Sequence, residues 1–191
     1  MSIHSDHPFA TPAAERDPVR RLRGRLPSPV TVWTSGTGAG RAGLTVSSTI
    51  VGEPDVLAGL VGSDTDLWER LAETGAAVVN VLSWRHRVLA DVFAGLHPSP
   101  GGVFRTGDWT DGEYGPVLAD ASAYALIRLR EARPAGWSLL VEAEIVEVVL
   151  GEDTDTGRGY TEGDGQDALV YLRGRYRRPA PLTGTRSPES R

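Results

Sequence analysis

The hydrophobic pattern of the chain alternates between two periods. Alternating or short apolar runs, rich in Val, Ile and Leu and bounded by Gly, Pro or Ser, predict strands. These runs are PVTVWTS, RAGLTVSSTI, VLAGLVG, AAVVNVLS, PVLAD, SAYALIRLREAR, GWSLLVEAEIVEVVL and ALVYLRGRYR. From these eight runs we expect six or seven strands, joined mostly as hairpins, with two or three helices between them.

Three segments carry helix signals instead. Asp17 and Pro18 form an N-cap and first-turn pair ahead of VRRLRGRL. Residues 63–65 are all capping types, and they precede LWERLAETG, in which Gly75 is a helix stop. The third segment, RHRVLADVFAG, is amphipathic, and its predicted core stripe is Val88, Leu89, Val92 and Phe93.

Hairpin-rich strands with few helices favour a mainly β fold, an antiparallel, Greek-key-like barrel with helices flanking it. We expect one domain over 17–178, a disordered N-terminal tail over 1–16 and a flexible C-terminal tail over 179–191. Residues 95–115 form a long irregular stretch, and loops of that length are usually functional or interfacial. Its aromatic residues suggest an interface: Phe104, Trp109 and Tyr114.

Composition narrows the classes of function. The chain has no cysteine, which excludes disulfides, thiolate nucleophiles and cysteine-based metal sites. All twenty basic residues are arginine, so Schiff-base enzymes and phosphate-loop ATPases are excluded for want of a lysine. No apolar run approaches the roughly 18–20 residues that cross a bilayer, and the N-terminus lacks a signal-peptide pattern. We therefore expect a cytoplasmic protein that does not enter a membrane.

The net charge of −5 is unevenly distributed. Residues 142–167 are rich in carboxylates, whereas 20–25 and 173–178 carry four arginines each and no acid. Solvated faces are the ordinary explanation of such runs. The overall acidity argues against nucleic-acid binding, which needs a broad basic surface with aromatic platforms.

Hydroxyl residues cluster after the second predicted strand. Alternation places Thr45 and Ser47 on one face, and Ser48 follows them. Hydroxyls and free backbone amides there would suit a ligand with alternating donors and acceptors, such as the pyrimidine end of a flavin. The alternative is that these residues simply form a polar strand face.

A second candidate site is the start of the helix after residue 62. Ser63, Asp64 and Thr65 lie where unpaired amides and the helix dipole attract anions, which would suit a phosphate. Ordinary capping is the competing explanation, because Asp64 and Asp66 bring negative charge to the same place. No metal site is predicted, because His86 and His97 lack ligand spacing and a surface role is expected for both.

Taken in order, several strings resemble the flavin reductase-like family, the FMN-binding split barrels. They are VTVWTSG, RAGLTVSS, LAGLVGSDTDLWERLAETGAAVVNVLSWRHRVLADVFAG, GPVLADA, LLVEAEIVEVV and LVYLRGRY, and the resemblance extends from about Val19 to Tyr176. It implies a homodimeric split β-barrel that binds FMN, with FAD or riboflavin as alternatives. It also implies NAD(P)H as electron donor and a partner monooxygenase as the user of reduced flavin.

The same resemblance implies a set of cofactor-binding positions. Those near the isoalloxazine would be Thr45, Val46, Ser47 and Ser48 at the strand end, and Asn80 and Ser83 further along the chain. Those near the ribityl phosphate would be Ser63, Asp64 and Thr65, and Arg175 would approach the nucleotide or the partner subunit. No catalytic residue is predicted.

The chain departs from the family pattern in three places. Asp64 and Asp66 stand where members carry an arginine or serine near the phosphate. Ala135, Gly136 and Trp137 stand where reductases carry Gly-Asp-His, and Leu172 replaces a late histidine. Two other functions therefore stay open: a non-reductase flavoprotein that carries electrons or sequesters flavin, and a dimeric split-barrel binding module that has lost flavin.

Overall fold

A computed structural model describes residues 17–151 and 168–179 of the 191-residue chain. Its strands are β1 (Ser28–Pro29), β2 (Thr31–Ser35), β3 (Ala42–Val46), β4 (Ile50–Gly52), β5 (Val56–Val61), β6 (Ala76–Val81), β7 (Trp109–Gly112), β8 (Gly115–Leu118), β9 (Ala123–Ala135), β10 (Ser138–Leu150), β11 (Val170–Leu172) and β12 (Arg175–Arg177). Its α-helices are α1 (Pro18–Arg23), α2 (Asp66–Thr74) and α3 (Arg87–Phe93). None of the helices in these ranges is long and apolar enough to span a membrane.

The fold is mainly β and antiparallel, as the sequence predicts. Seven strands form one sheet in the order β3-β2-β6-β9-β10-β5-β4, and β1, β11 and β12 form a small second sheet. The strands β9 and β10 form a long hairpin of thirteen residues on each side. β5 pairs with β10 on one side and with β4 on the other, and Gly59 of β5 also lies against Trp33 of β2 and Val46 of β3, so the sheet folds back on itself.

Trp33 fills the interior of this curled sheet. Its side chain is fully buried and lies close enough to Gly59 of β5 that a Cβ there would meet the indole at 2.8 Å. Its Nε1–H donates to the hydroxyls of Thr31 and Thr49, both at 3.1 Å. Glycine at position 59 therefore lets β5 approach β2 across the barrel, because any larger residue would displace the indole.

Helix α2 begins and ends where the capping pattern predicts. The Thr65 hydroxyl accepts the Trp68 N–H at 3.3 Å, and Gly75 ends the helix in the left-handed conformation at φ 68°. Leu67 and Leu71 face the barrel and are buried. Asp17 likewise caps α1, because its carboxylate accepts the Val19 N–H at 2.9 Å.

Helix α3 differs from the prediction at one core position. Leu89, Val92 and Phe93 are buried as expected, but Val88 is 55% exposed and Ala90 is buried in its place. The helix therefore presents a small residue to β3, which allows its backbone to lie close to that strand.

The aromatic residues of 95–115 pack within the chain. The rings of Phe93, Phe104 and Trp109 lie 5.2–5.3 Å apart, centre to centre. A Cβ at Gly43 of β3 would meet Phe93 at 2.6 Å, so this cluster presses directly on the strand. Phe104 and Trp109 thus anchor the loop to the barrel.

Two further differences concern strand boundaries. The last predicted strand is a hairpin, β11–β12, that turns at Arg173 and Gly174 with positive φ values of 53° and 76°. The twelve strands exceed the predicted number because short pairs such as β7–β8 also form. The predicted tail over 1–16 and most of the tail over 179–191 lie outside the described residues.

Candidate functional site

The two segments that carry most of the candidate residues lie side by side. Ser48 follows β3, and its Oγ accepts the Leu60 N–H at 2.8 Å on the opposite strand, β5. Leu60 is three residues before Ser63, so the end of β3 lies near the start of α2, and we call the surface between these two segments the β3–α2 opening. The structure thus brings together 45–48 and 63–65, which are separated by a hairpin in sequence.

The hydroxyls on β3 differ in their availability. The Thr45 hydroxyl donates to the Ala90 carbonyl at 2.7 Å and so ties β3 to α3. Val46 is buried, and its carbonyl accepts the Thr31 hydroxyl at 2.8 Å. Ser47 is partly exposed, and its hydroxyl has no partner among the described residues. Ser47 is therefore the candidate on this segment with a free hydroxyl.

The backbone of β3 adds further polar groups. This strand lies at one edge of the seven-stranded sheet and pairs only with β2. An edge strand presents every second N–H and C=O away from its neighbour. The β3 edge thus offers an alternating row of donors and acceptors next to Ser47.

The start of α2 offers amides but no cation. Thr65 is the cap, and its hydroxyl is occupied by the Trp68 N–H and the Gly62 carbonyl. Asp64 and Asp66 are exposed, and neither forms an ion pair with the described residues. The remaining first-turn amides have no helical partner, as at any helix start. An anion here would be bound by amides and by the exposed Ser63 hydroxyl, in the presence of two carboxylates.

The one arginine in this helix does not compensate those carboxylates. Arg70 pairs with Glu73 one turn later, and its side chain packs over Gly36 and Gly40. Its Nε is buried without a hydrogen-bond partner in the described part of the chain. The charge at the α2 start is therefore balanced by nothing nearby on the same helix.

Asn80 is buried, and both polar atoms of its side chain are hydrogen-bonded to other protein groups. Its Nδ2 donates to the Val32 carbonyl at 3.1 Å and to the Thr34 hydroxyl at 3.3 Å, and its Oδ1 accepts the Leu118 N–H at 2.8 Å. Thr45 and Asn80 both pair with Val32, from opposite sides of β2, so they lie two strand spacings, or about 10 Å, apart. Asn80 thus joins β6, β2 and β8, and in this arrangement no atom of its side chain is exposed to a ligand.

Ser83 belongs to a polar cluster that the sequence does not reveal as such. Its N–H and its hydroxyl both donate to Nδ1 of His86 at 3.1 Å. The Ser83 N–H makes Nδ1 an acceptor, and Nε2 lies 3.2 Å from the Asp120 carboxylate and 3.3 Å from Nε of Arg85. Arg85 pairs with the same carboxylate at 3.2 Å.

The expectation of a surface role for His86 was wrong. The residue is only 6% exposed, and burial lowers its pKa below the ordinary value, against the opposing effect of the Asp120 carboxylate. The S-x-x-H spacing from Ser83 is the available signal, because it matches a capping box with histidine in place of Glu or Gln. The cluster fixes the chain between β6 and α3.

Arg175 lies apart from the β3–α2 opening. It is exposed on β12, in the small sheet with β1. Beside it Tyr176 packs against Tyr171, and burial, followed by the nearby Asp91 carboxylate, raises the pKa of Tyr176. No contact links Arg175 to the other nine candidates within the described residues.

The polar groups beside the β3–α2 opening are of the kinds that would bind a flavin. The β3 edge and Ser47 present alternating donors and acceptors to a ring system, and the α2 start presents amides to a phosphate at the other end. The two carboxylates make the phosphate end less favourable than the ring end. The fit therefore rests on backbone groups and two serines more than on charged side chains.

Comparison with known proteins identifies the family of this chain. Residues 23–180 match the family model described as the flavin reductase like domain, and the chain belongs to that family. It is 27% identical to the FMN reductase (NADH) RutF of Agrobacterium fabrum, over 93% of this chain and 97% of the relative. It is 31% identical to the reductase component of 4-hydroxyphenylacetate 3-monooxygenase from Pseudomonas aeruginosa, over 80% of this chain and 85% of that one.

A solved structure shows the same fold. The NADH:FAD oxidoreductase SgcE6 of Streptomyces globisporus, in complex with NAD and FAD fragments, superposes with a TM-score of 0.71 at 25% identity. The match covers 87% of this chain and 93% of SgcE6. The split-barrel architecture expected from the sequence is thereby confirmed.

Proposed function

We propose that this protein is an NAD(P)H-dependent flavin reductase with FMN as its flavin. The observation that carries the proposal is the Ser48–Leu60 contact, which sets the β3 edge beside the α2 start in a chain of this family. The chemistry that a bound flavin would supply is hydride transfer from the reduced nicotinamide. The names of the relatives, FMN reductase (NADH) and NADH:FAD oxidoreductase, support both the flavin and NADH as donor.

Different residues around the opening would bind the ring and the phosphate of the flavin. Ser47 and the β3 edge would hydrogen-bond the ring, and Ser63 with the α2 amides would hold the phosphate. Thr45, Asn80 and Ser83 act as positioning residues, because their polar groups bind protein atoms: Ala90, Leu118 and His86. Gly43 keeps β3 close to the Phe93 cluster and so fixes the strand that would meet the ring.

The nicotinamide side depends on residues unlike those of typical members. Trp137 is fully exposed at the β9–β10 turn, where the sequence pattern of reductases has a histidine. Hydride transfer needs the two rings in contact, and it does not need a protein acid or base at that position. The altered turn therefore bears on how the dinucleotide binds more than on whether the flavin is reduced.

The experiment is spectroscopic and enzymatic. Purified full-length protein is mixed with FMN, FAD or riboflavin, and NADH or NADPH oxidation is followed at 340 nm. We expect turnover with NADH and FMN, and weaker binding of riboflavin because it lacks a phosphate. Flavin binding without oxidation of either nucleotide would indicate an electron carrier or flavin-sequestering protein, and no binding at all would indicate a module without flavin.

We further propose that the protein is a cytoplasmic homodimer. Support comes from exposed apolar residues on the barrel strands, with Ile50 and Val51 of β4 exposed by 65% and 68% and Val148 of β10 by 53%. An exposed apolar strand at a sheet edge is normally covered. Reduced nicotinamide nucleotides are found inside cells, so their use as donor supports a cytoplasmic location. Light scattering at micromolar concentration should give twice the monomer mass, and Ile50→Glu with Val51→Lys should give the monomer.

A further inference from the structure

The structure joins the two arginine-rich segments of the chain into one surface. The Arg173 N–H donates to the Gly24 carbonyl at 2.7 Å, so the β11–β12 hairpin lies against the end of α1. The strand β1, which follows α1, pairs with β11 in the same sheet. We call this surface the arginine face, and its eight arginines are Arg20, Arg21, Arg23, Arg25, Arg173, Arg175, Arg177 and Arg178.

Within the part of the chain that the structure describes, the arginine face is poor in acids that could balance it. Residues 18–35 and 168–179 contain no Asp or Glu. Asp17 caps α1 through the Val19 N–H, and Asp91 lies beside Tyr176. Apart from Arg178, none of these arginines forms an ion pair with the residues that the structure describes. A chain with net charge −5 thus concentrates positive charge on one face, where seven of the eight guanidinium groups have no ion pair among the described residues.

The same face carries exposed apolar side chains. Helix α1 buries none of its residues, and Val19, Leu22 and Leu26 are 71%, 61% and 57% exposed. Exposed apolar side chains among arginines are typical of a surface that binds another protein, since arginine is enriched in interfaces.

The aromatic residues of the face favour a protein over a nucleic acid as its partner. The guanidinium carbons of Arg87 and Arg178 lie 4.3 and 5.6 Å from the centre of the Trp84 ring. Tyr171 and Tyr176 pack edge to face on each other. Within the described part of the face these rings are already engaged, so base stacking lacks a free platform.

We propose that the arginine face is a docking surface for a different protein that presents carboxylates around an apolar centre. The identity of that protein rests on the proposed function: it is the enzyme that consumes the reduced flavin. Carboxylates match the guanidinium groups in charge and geometry, and Leu22 and Leu26 would lie at the centre of the contact.

The test uses the full-length protein and a fluorescent twenty-residue poly-L-glutamate peptide as the probe. Binding is measured by anisotropy at 50 mM and 300 mM NaCl. The patch variant carries Arg21→Gln, Arg25→Gln and Arg173→Gln, and the matched control carries Arg105→Gln, Arg130→Gln and Arg133→Gln, with the same change in charge. We expect the patch variant to raise the dissociation constant about tenfold at 50 mM NaCl, the control less than twofold, and high salt to remove the difference.

Three results would overturn the proposal. Equal binding by the two variants, or none by the wild type, would show that the face does not select carboxylates. Tighter binding of a twenty-nucleotide single-stranded DNA or of phosphatidylserine vesicles would assign the face to a nucleic acid or a membrane. A loss of dimer mass in the patch variant would assign it to a second copy of this chain.

Two further measurements separate docking from structure and from catalysis. The thermal midpoint of the patch variant should equal or exceed that of the wild type at low salt, because removing clustered like charges relieves repulsion; a marked fall would mean that the arginines hold the fold. NADH oxidation with free FMN should be unchanged in the patch variant. If the wild type binds poly-L-glutamate but reduces no flavin, the proposed function fails and the docking surface stands.

Discussion

Nδ1 of His86 accepts the backbone N–H of Ser83 at 3.1 Å, three residues earlier in the chain. This bond requires a neutral ring, because a protonated Nδ1 would itself be a donor and would displace the Ser83 N–H. Asp120 and Arg85 are the charged groups that face the ring, and their effects on its charge oppose each other. The stability of the segment between β6 and α3 therefore depends on pH.

The sign follows from the lowered pKa of His86. The unfolded chain takes up a proton near pH 6.5, whereas the folded ring does so only at lower pH, so the stabilisation is complete above pH 6.5. We expect it to be lost as the pH falls from 6.5 through the folded pKa. His86→Gln keeps a capping side chain that does not titrate. Denaturant unfolding at pH 7.5 and 5.5 should show a smaller loss for the variant, and equal losses would contradict the assignment.

Substitutions that remove the hydroxyls of Thr45 and Ser47 should have different effects, one on stability and the other on flavin binding. Thr45→Val removes the bond to the Ala90 carbonyl and should lower the free energy of unfolding by about 1 kcal/mol. Ser47→Ala removes a hydroxyl that is free in the described structure. It should weaken FMN binding by about two- to tenfold at unchanged stability, which corresponds to one neutral hydrogen bond. Flavin titration and thermal unfolding of both variants check this, and Ser47→Ala with unaltered affinity would move the ring away from the β3 edge.

Asp66 should oppose FMN through the phosphate. Asp66→Asn removes an exposed carboxylate from the start of α2 while Thr65 continues to cap the helix. FMN binding should strengthen modestly, more at low salt than at high, because salt screens the repulsion. Riboflavin has no phosphate and serves as the matched control. If the substitution weakened the binding of FMN and of riboflavin equally, the phosphate would have to lie elsewhere.

Asn80 should matter for stability more than any other candidate residue. Asn80→Leu would bury the Leu118 N–H and the Val32 carbonyl without their present side-chain partner. The loss should be about 3 kcal/mol, because each orphaned buried group costs about 1–3 kcal/mol. Urea unfolding measures it, with Val88→Leu on the exposed side of α3 as a control of near-zero effect. A loss under 1 kcal/mol would mean that the β6–β8 contact tolerates its removal.

Local signals in the sequence predict the elements whose stability is local. The cap at Thr65, the left-handed Gly75 and the two long strands follow from residue types at fixed spacing. The position of Ala90 in the core does not, because Val88, two positions earlier, is the more apolar residue and only the packing of α3 on β3 decides between them. The turn at Arg173 and Gly174 is similarly hidden among strand-forming neighbours.

The candidate site was predictable as a set of segments but not atom by atom. Residue types and family resemblance identify 45–48 and 63–65, and the structure brings them together. Which hydroxyls are free depends on partners far along the chain, since Thr45 binds a carbonyl 45 residues away and Asn80 an amide 38 residues away. Such pairings leave no periodic trace in a single sequence.

The strand order has a consequence for how the chain folds. The β9–β10 hairpin forms from neighbours in sequence, but β5 must find β10 about 80 residues further along. Pairings over such separations form late, because the loop entropy is lost before their contacts are gained. The Ser48–Leu60 contact depends on β5 being in place, so the flavin opening would be among the last parts of the molecule to assemble. Bound flavin should therefore slow unfolding, and flavin added during refolding should leave the rate of the early folding steps unchanged.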